Sequence, residues 1–200
     1  MKKILLREYK DKKNSIKKRI EDFRNLDPHR YYDEMIFCLL TPQSNAKKCW
    51  SAVQEIKKLN NFDAEKIANI LKTRTRFHNN KTKYILESKK SWEKIINMLN
   101  NEDRIKLRNE ISEIVKGYGL KEASHFLRNI GKSDNQIAIL DRHILRNLKE
   151  FKVIKSDKIK NKIHYLDIER KFIAFSKKMK IPIDELDLLF WSRENGEIFK

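Results

Sequence analysis

Val115-Lys116-Gly117-Tyr118-Gly119-Leu120-Lys121-Glu122-Ala123-Ser124-His125-Phe126-Leu127-Arg128-Asn129 decides how this chain is read, and Ile139-Leu140-Asp141-Arg142-His143 completes the reading. A Gly-x-Gly turn leads straight into a helix. Two helices joined by so short a turn leave backbone N–H groups unpaired at the start of the second. Glycines such as Gly117 and Gly119 remove the Cβ atoms that would keep a phosphate away, and the N–H groups with the helix dipole favour an anion. An ordinary helix–helix turn with a glycine cap has the same look. Lys116 beside the turn and a net charge of +18, from 46 Lys and Arg against 28 Asp and Glu, move the reading toward phosphate. A surface this basic suits a polyanion, most commonly nucleic acid. The bland account of the same charge is a lysine-rich proteome with solvated lysine faces.

Lys121 falls in the first turn of its helix. A helix N-terminus disfavours an ammonium, so its pKa is expected to fall, and a lysine amine of that kind can form a Schiff base. Among 46 basic residues, a solvated surface lysine is the competing account. Asp141 lies twenty positions on, after the apolar run Ile137-Ala138-Ile139-Leu140 and ahead of an apparent helix. It can cap that helix and, compatibly, stabilise a sugar cation as carboxylates do in glycoside cleavage. His143 either contacts a phosphate or is a partly buried core histidine. A phosphate-holding hairpin with a lysine and an aspartate points to removal of a base from DNA.

Outward from this stretch the periodicity is helical nearly everywhere, and four glycines and three prolines in 200 residues leave little room for tight turns. Helices are expected over Tyr9–Phe23, Tyr31–Leu40, a segment capped by Ser44, and a short segment capped by Asp63. Further ones are expected up to Leu99, over Asn101–Ile114, Lys121–Ile130, Arg142–Phe151 and Lys158–Lys178, and after Ile181-Pro182. Arg74, Arg76 and Lys81 read as a solvated basic face that also meets phosphate. The expected fold is all-α, two helical lobes flanking a cleft with Gly119 near its floor. One subdomain would run from about 30 to 140 and end in the hairpin pair at about 104–130; the other would combine 1–29 with 141–200.

Cys38 and Cys49 make neither a metal site nor a disulfide framework, which suits a reduced intracellular compartment. No apolar run reaches the length of about 18 residues that a membrane span needs. Arg7, Glu8 and Lys10 interrupt the N-terminus before a leader's apolar region could form.

At these residues the chain resembles the helix-hairpin-helix DNA glycosylase superfamily, and within it the 8-oxoguanine DNA glycosylase/AP lyases of the archaeal-type Ogg2 branch. The core of the match is Lys116 to Asn129 followed by Leu140-Asp141-Arg142-His143-Ile144-Leu145. Supporting segments are Leu39-Leu40-Thr41-Pro42-Gln43-Ser44, Arg76-Phe77 with Lys81 and Tyr84-Ile85, and Leu186-Asp187-Leu188-Leu189-Phe190-Trp191 with Lys200. The resemblance implies the helix-hairpin-helix fold with its catalytic aspartate. Lys121 would attack C1′ and form a Schiff base, and Asp141 would assist deprotonation and stabilise the sugar cation. Phe77 and Trp191 would stack on the flipped base, with Asp187 and Lys200 in its recognition. The terminal carboxylate at Lys200 would accept from the N7–H that 8-oxoguanine has and guanine lacks. Gln43 would enter the gap left by the flipped base, where many relatives have asparagine. Arg76, Lys116, Gly117, Gly119 and His143 would contact DNA.

The loop Lys132-Ser133-Asp134-Asn135-Gln136 is longer than is usual in that branch, and no four-cysteine iron–sulfur motif follows the core. The expectation is therefore a bifunctional enzyme of base-excision repair. It would be a monomer in the cytoplasm or nucleoid, acting on double-stranded DNA containing 8-oxoguanine. No catalytic metal or organic cofactor is expected, though the hairpin carbonyls could hold a structural monovalent cation. Two other readings stay open: the same chemistry on another oxidised base such as a pyrimidine, and a non-catalytic helix-hairpin-helix module. The module does not need Lys121 with Asp141.

Overall fold

A computed structural model describes residues 2–200, and among them every regular element is helical. Ten α-helices follow in order: α1 (Lys2–Arg24), α2 (Tyr31–Leu40), α3 (Ala46–Lys57), α4 (Ala64–Lys72), α5 (His78–Met98), α6 (Arg104–Ile114), α7 (Leu120–Asn129), α8 (Arg142–Glu150), α9 (Lys162–Met179) and α10 (Ile183–Asn195). A single 3-10 turn, Pro28–Arg30, precedes α2. Most expected helices are present, with shifted ends. α1 starts at Lys2 and not at Tyr9. α9 starts at Lys162 because Asn161, and not a residue near Lys158, accepts the first free amide, from His164 at 2.9 Å. Asp63 and Asp141 cap α4 and α8 as read from sequence.

The chain divides into two compact units, residues 27–126 and residues 1–26 with 127–200. The division falls within α7, ahead of the boundary expected near residue 140. In the 27–126 unit, α2 is buried on every side, including Asp33 and Glu34. A helix apolar around its circumference belongs in a core. Phe37 meets Trp50 of α3 edge-on at 5.7 Å and His125 of α7 at 5.5 Å. Val53 and Ile56 of α3, Ile67 and Leu71 of α4, Ile85 of α5 and Ile111 of α6 are also buried. The Tyr118 hydroxyl in the hairpin donates to the Met35 carbonyl at 2.8 Å. Burial pushes the Tyr118 phenol well above its ordinary pKa, so it stays a donor.

In the other unit α10 packs on α1, α8 and α9, burying Leu186, Leu188, Leu189 and Phe190. The Phe190 ring stacks on Phe151 at 5.6 Å and on Phe172 at 5.8 Å. Ile137 to Leu140 is buried without regular structure, so its backbone needs other partners. α9 supplies them: the Ala138 N–H donates to Glu169 and its carbonyl accepts from the Tyr165 hydroxyl, both at 2.8 Å. That clamp sets where Asp141 emerges.

After α7 the chain turns at Gly131, with φ +69 and with the Lys132 N–H donating back to the Leu127 carbonyl at 2.7 Å. A Cβ on Gly131 would stand 2.5 Å from the Arg24 Cα, a backbone atom that cannot step aside. Gly131→Ala is therefore expected to destabilise the protein by about 2–4 kcal/mol, as left-handed strain and overpacking add. Urea titration of the purified variant measures it, and a loss below about 0.5 kcal/mol would show that α1 yields easily.

Candidate active site

The expected site residues fall in both units. Gln43, Arg76, Phe77, Lys116, Gly117, Gly119 and Lys121 belong to the 27–126 unit; Asp141, His143, Asp187, Trp191 and Lys200 belong to the other.

In the first unit, Val115 ends α6 in an extended conformation and the chain turns over Gly117 at φ +90. The glycine here answers a neighbour as much as a ligand. A Cβ would lie 2.4 Å from the Tyr84 ring of α5, so that ring and the hairpin are matched surfaces. Lys116 is exposed and pairs with Glu87 at 3.4 Å. Gly119 does not need a left-handed backbone, and its N–H is not open. It donates to Glu122 Oε2 at 3.0 Å. The other oxygen of Glu122 lies 2.8 Å from Lys121 Nζ. Glu122, which the sequence reading passed over, thus holds both the amide expected to grip phosphate and the amine expected to attack. The signal was legible: a glutamate three residues after the turn amide is the acceptor half of a capping box.

Gln43 and Phe77 are both non-glycine residues in the left-handed region, at φ 54 and φ 57. Each such residue costs about 1–2 kcal/mol, so the surroundings must impose it. Phe77 opens α5, 52% exposed as a residue, with the Arg76 guanidinium 5.4 Å from its ring centre. An exposed aromatic at an imposed backbone geometry is ready for a stacking partner. Two expectations about this region fail. Lys81 is not on a solvated basic face: it is 4% exposed, and its ammonium donates to the Leu40 carbonyl (2.7 Å), the Pro42 carbonyl (2.9 Å) and Ser44 Oγ (2.9 Å). Nor does Ser44 cap α3. Asn45 does, accepting from the Lys48 N–H, while Ser44 Oγ also accepts the Arg76 N–H at 3.0 Å. Arg74 is turned inward to the Ile70 carbonyl at 2.8 Å.

In the second unit, Asp141 Oδ1 accepts from the His143 and Ile144 amides at 2.8 and 2.9 Å, which orients the carboxylate at the α8 N-terminus. His143 Nδ1 lies 3.6 Å from the Glu194 carboxylate, and its ring meets Trp191 edge-on at 6.3 Å. Trp191 is half-buried, with Phe199 of the tail at 6.3 Å, so it is more than filler of the α10 core. Lys200 is half-buried at the end of that tail.

Asp187 is buried and pairs with Arg128 at 3.4 Å. Burial still pushes its carboxyl up to about 7, against the pull of Arg128 and with Asp141 and Asp184 adding to the rise. Asp184 is also raised by burial, though Ser133 donates to it and Arg128 lies near. Between about 3.8 and about 7 the folded protein holds a proton at Asp187 that the unfolded chain has released. Stability therefore falls as pH rises through that window. Asp187→Asn should flatten this slope, because an amide does not titrate. Thermal melts of both proteins across the window measure it, and parallel curves would show that the carboxyl titrates normally.

The comparisons with known proteins agree over nearly the whole chain. The profile of the family described as 8-oxoguanine DNA glycosylase matches residues 16–181. A protein of Fusobacterium nucleatum named 8-oxoguanine DNA glycosylase/AP lyase is 41% identical, covering 96% of this chain and 94% of its own. One of the same name from Metallosphaera sedula is 35% identical, over 91% and 92%. Among solved structures, the 8-oxoguanine DNA glycosylase of Thermotoga maritima superposes with a TM-score of 0.87 at 30% identity, covering 100% of this chain and 98% of its own. The Methanocaldococcus jannaschii 8-oxoguanine glycosylase/lyase, in complex with a 15mer DNA containing 8-oxoguanine, gives 0.85 at 31% identity, over 98% and 100%.

Proposed function

The chain belongs to the 8-oxoguanine DNA glycosylase family, and from that premise we propose that it excises 8-oxoguanine from duplex DNA and then nicks the strand as an AP lyase. The observation that carries the reading is Lys121 in the first turn of α7, directly after the Gly117–Gly119 hairpin and 2.8 Å from a carboxylate able to take its proton. Phosphate binding alone asks for no such pair.

In this mechanism Lys121 Nζ, once deprotonated, displaces the base from C1′. The leaving base takes a proton as the C1′–N9 bond breaks. The sugar then opens as the C1′–O4′ bond breaks, giving an imine between C1′ and Nζ. Loss of a C2′ proton expels the 3′ phosphate by β-elimination and cuts the strand. Asp141, held by two amides, stabilises the positive charge that develops on the sugar. Phe77 and Trp191 stack on the flipped base, and Asp187 and Lys200 take part in recognising it. Gln43 fills the gap in the duplex. Lys116, the exposed backbone at Gly117, Arg76 and His143 hold phosphates, and the charge of +18 supplies the sequence-independent part of the affinity. A structural monovalent cation would be held by the hairpin carbonyls. Among the described residues no helix is long and apolar enough to cross a membrane. We place the enzyme with its substrate, in the cytoplasm or nucleoid.

Borohydride trapping on a duplex with one 8-oxoguanine tests this. Wild type is expected to give a covalent protein–DNA adduct, and Lys121→Gln none, with DNA affinity within about threefold because one charge among many contributes little. Asp141→Asn should keep binding and slow excision by about a hundredfold or more, the scale of a lost electrostatic stabiliser. An adduct that persists in Lys121→Gln would move the nucleophile elsewhere. No adduct with wild type despite tight binding would turn the reading to another lesion, which a thymine-glycol duplex would show.

A further inference from the structure

The two non-glycine residues of the 27–126 unit described in the left-handed region share one support. Gln43 sits in the turn between α2 and α3, and Phe77 sits at the start of α5. Lys81 lies one turn into α5, and its N–H donates to the Phe77 carbonyl at 3.0 Å. Its ammonium reaches across to both sides of Gln43, to the Leu40 and Pro42 carbonyls before it and to Ser44 Oγ after it. Ser44 Oγ in turn accepts the Arg76 N–H, next to Phe77. Three N–H donors meet three acceptors, which is all an ammonium can offer.

We propose that Lys81 is a positioning residue for DNA reading: its ammonium locks the Gln43 turn and the Arg76–Phe77 turn into one fixed relation, so that Gln43 is preset to enter the duplex as the lesion leaves it. This rests on reading Gln43 as the side chain that fills the gap. A lysine here suits a turn in which the Ser44 N–H is spent on the Thr41 carbonyl, leaving the Leu40 and Pro42 carbonyls to accept from side chains. Preset geometry spares the ordering cost at the moment of binding. The groups facing the ammonium are Cys49 of α3, Lys121 of α7 and Arg76. Burial lowers the Lys81 pKa to about 8, with Lys121 and Arg76 lowering it further and Cys49 opposing. Burial also pushes the Cys49 thiol up to about 11, so it stays neutral and its Sγ–H donates to the same Leu40 carbonyl at 3.2 Å. Above about pH 8 the amine keeps two N–H donors for three acceptors, and the lock loosens.

The test uses the full chain with Lys81→Met, Lys81→Arg and Gln43→Ala, on a duplex carrying 2-aminopurine opposite a tetrahydrofuran abasic analogue. Entry of the wedge disturbs stacking of 2-aminopurine and raises its fluorescence. Lys81→Met is expected to lose most of that rise and to slow excision from duplex by about tenfold or more, as small misplacements do. Its borohydride trapping at an abasic site in single-stranded DNA, which needs Lys121 but no wedge, should stay within about twofold. Lys81→Arg keeps a charge and several donors and should recover the fluorescence rise. The wild-type rise should fade between about pH 7 and about pH 9, and that of Lys81→Arg should not, because a guanidinium does not titrate there. A folded Lys81→Met with full fluorescence, or equal losses in the duplex and single-strand assays, would overturn the proposal. If Lys81→Met does not fold, a flat wild-type pH profile, or one that Lys81→Arg shares, would overturn it. If Gln43→Ala keeps the full rise, the wedge is another side chain, and the underlying reading of Gln43 fails instead.

Discussion

Backbone that leaves a helix must find partners for its amides and carbonyls, and the organisation of both units follows from how three such stretches, the last of them buried throughout, are answered. A helix satisfies itself except at its ends. The turn at 41–45, the hairpin at 116–119 and the run at 137–140 do so only in part. Each is met by a side chain anchored on a helix of its own unit: Lys81 of α5 for the first, Glu122 of α7 for the second, and Glu169 with Tyr165 of α9 for the third. These are the stretches that carry or precede Gln43, Lys121 and Asp141. The helices provide rigidity, and the irregular segments, each held by one or two polar anchors, present the chemistry.

Anchors of this kind carry an electrostatic cost. A buried ammonium or carboxylate has lost its hydration, and its partners only partly make up for that. Lys81 and Asp187 both show it, one titrating below its usual range and the other above. Replacing such groups with well-packed apolar residues is often neutral or stabilising in proteins generally. Their presence beside the expected DNA-reading and base-reading positions is therefore better explained by the geometry they impose than by the stability they add.

Much of this was legible in the sequence. The apolar spacing located nearly every helix, and Asp63 and Asp141 announced the caps they make. The hairpin and the lysine after it stood out because glycine is scarce in the chain. What could not be read is which polar residues turn inward. Lys81 lies in a run of basic and polar residues, and composition alone makes it a surface cation. Its three acceptors lie 37 to 41 positions earlier, on another element. Glu122 could have been seen as a capping partner, but not that its second oxygen holds Lys121. The choice of Asn45 over Ser44 as cap has the same origin: Ser44 is engaged by residues distant in sequence. Local pattern reports which face of a helix is apolar, and tertiary partners decide the fate of the exceptions.

The ring of Phe77 has a consequence for the protein when no DNA is present. It is an aromatic surface turned toward water, partly shielded by the Arg76 guanidinium. Left alone, such patches draw molecules together. The charge of +18 keeps copies apart, so colloidal stability in the free state is an electrostatic property. Added salt shortens the range of that repulsion, from about 10 Å at 0.1 M to about 3 Å at 1 M. The same salt that releases this protein from DNA therefore also removes what keeps its exposed rings from finding each other.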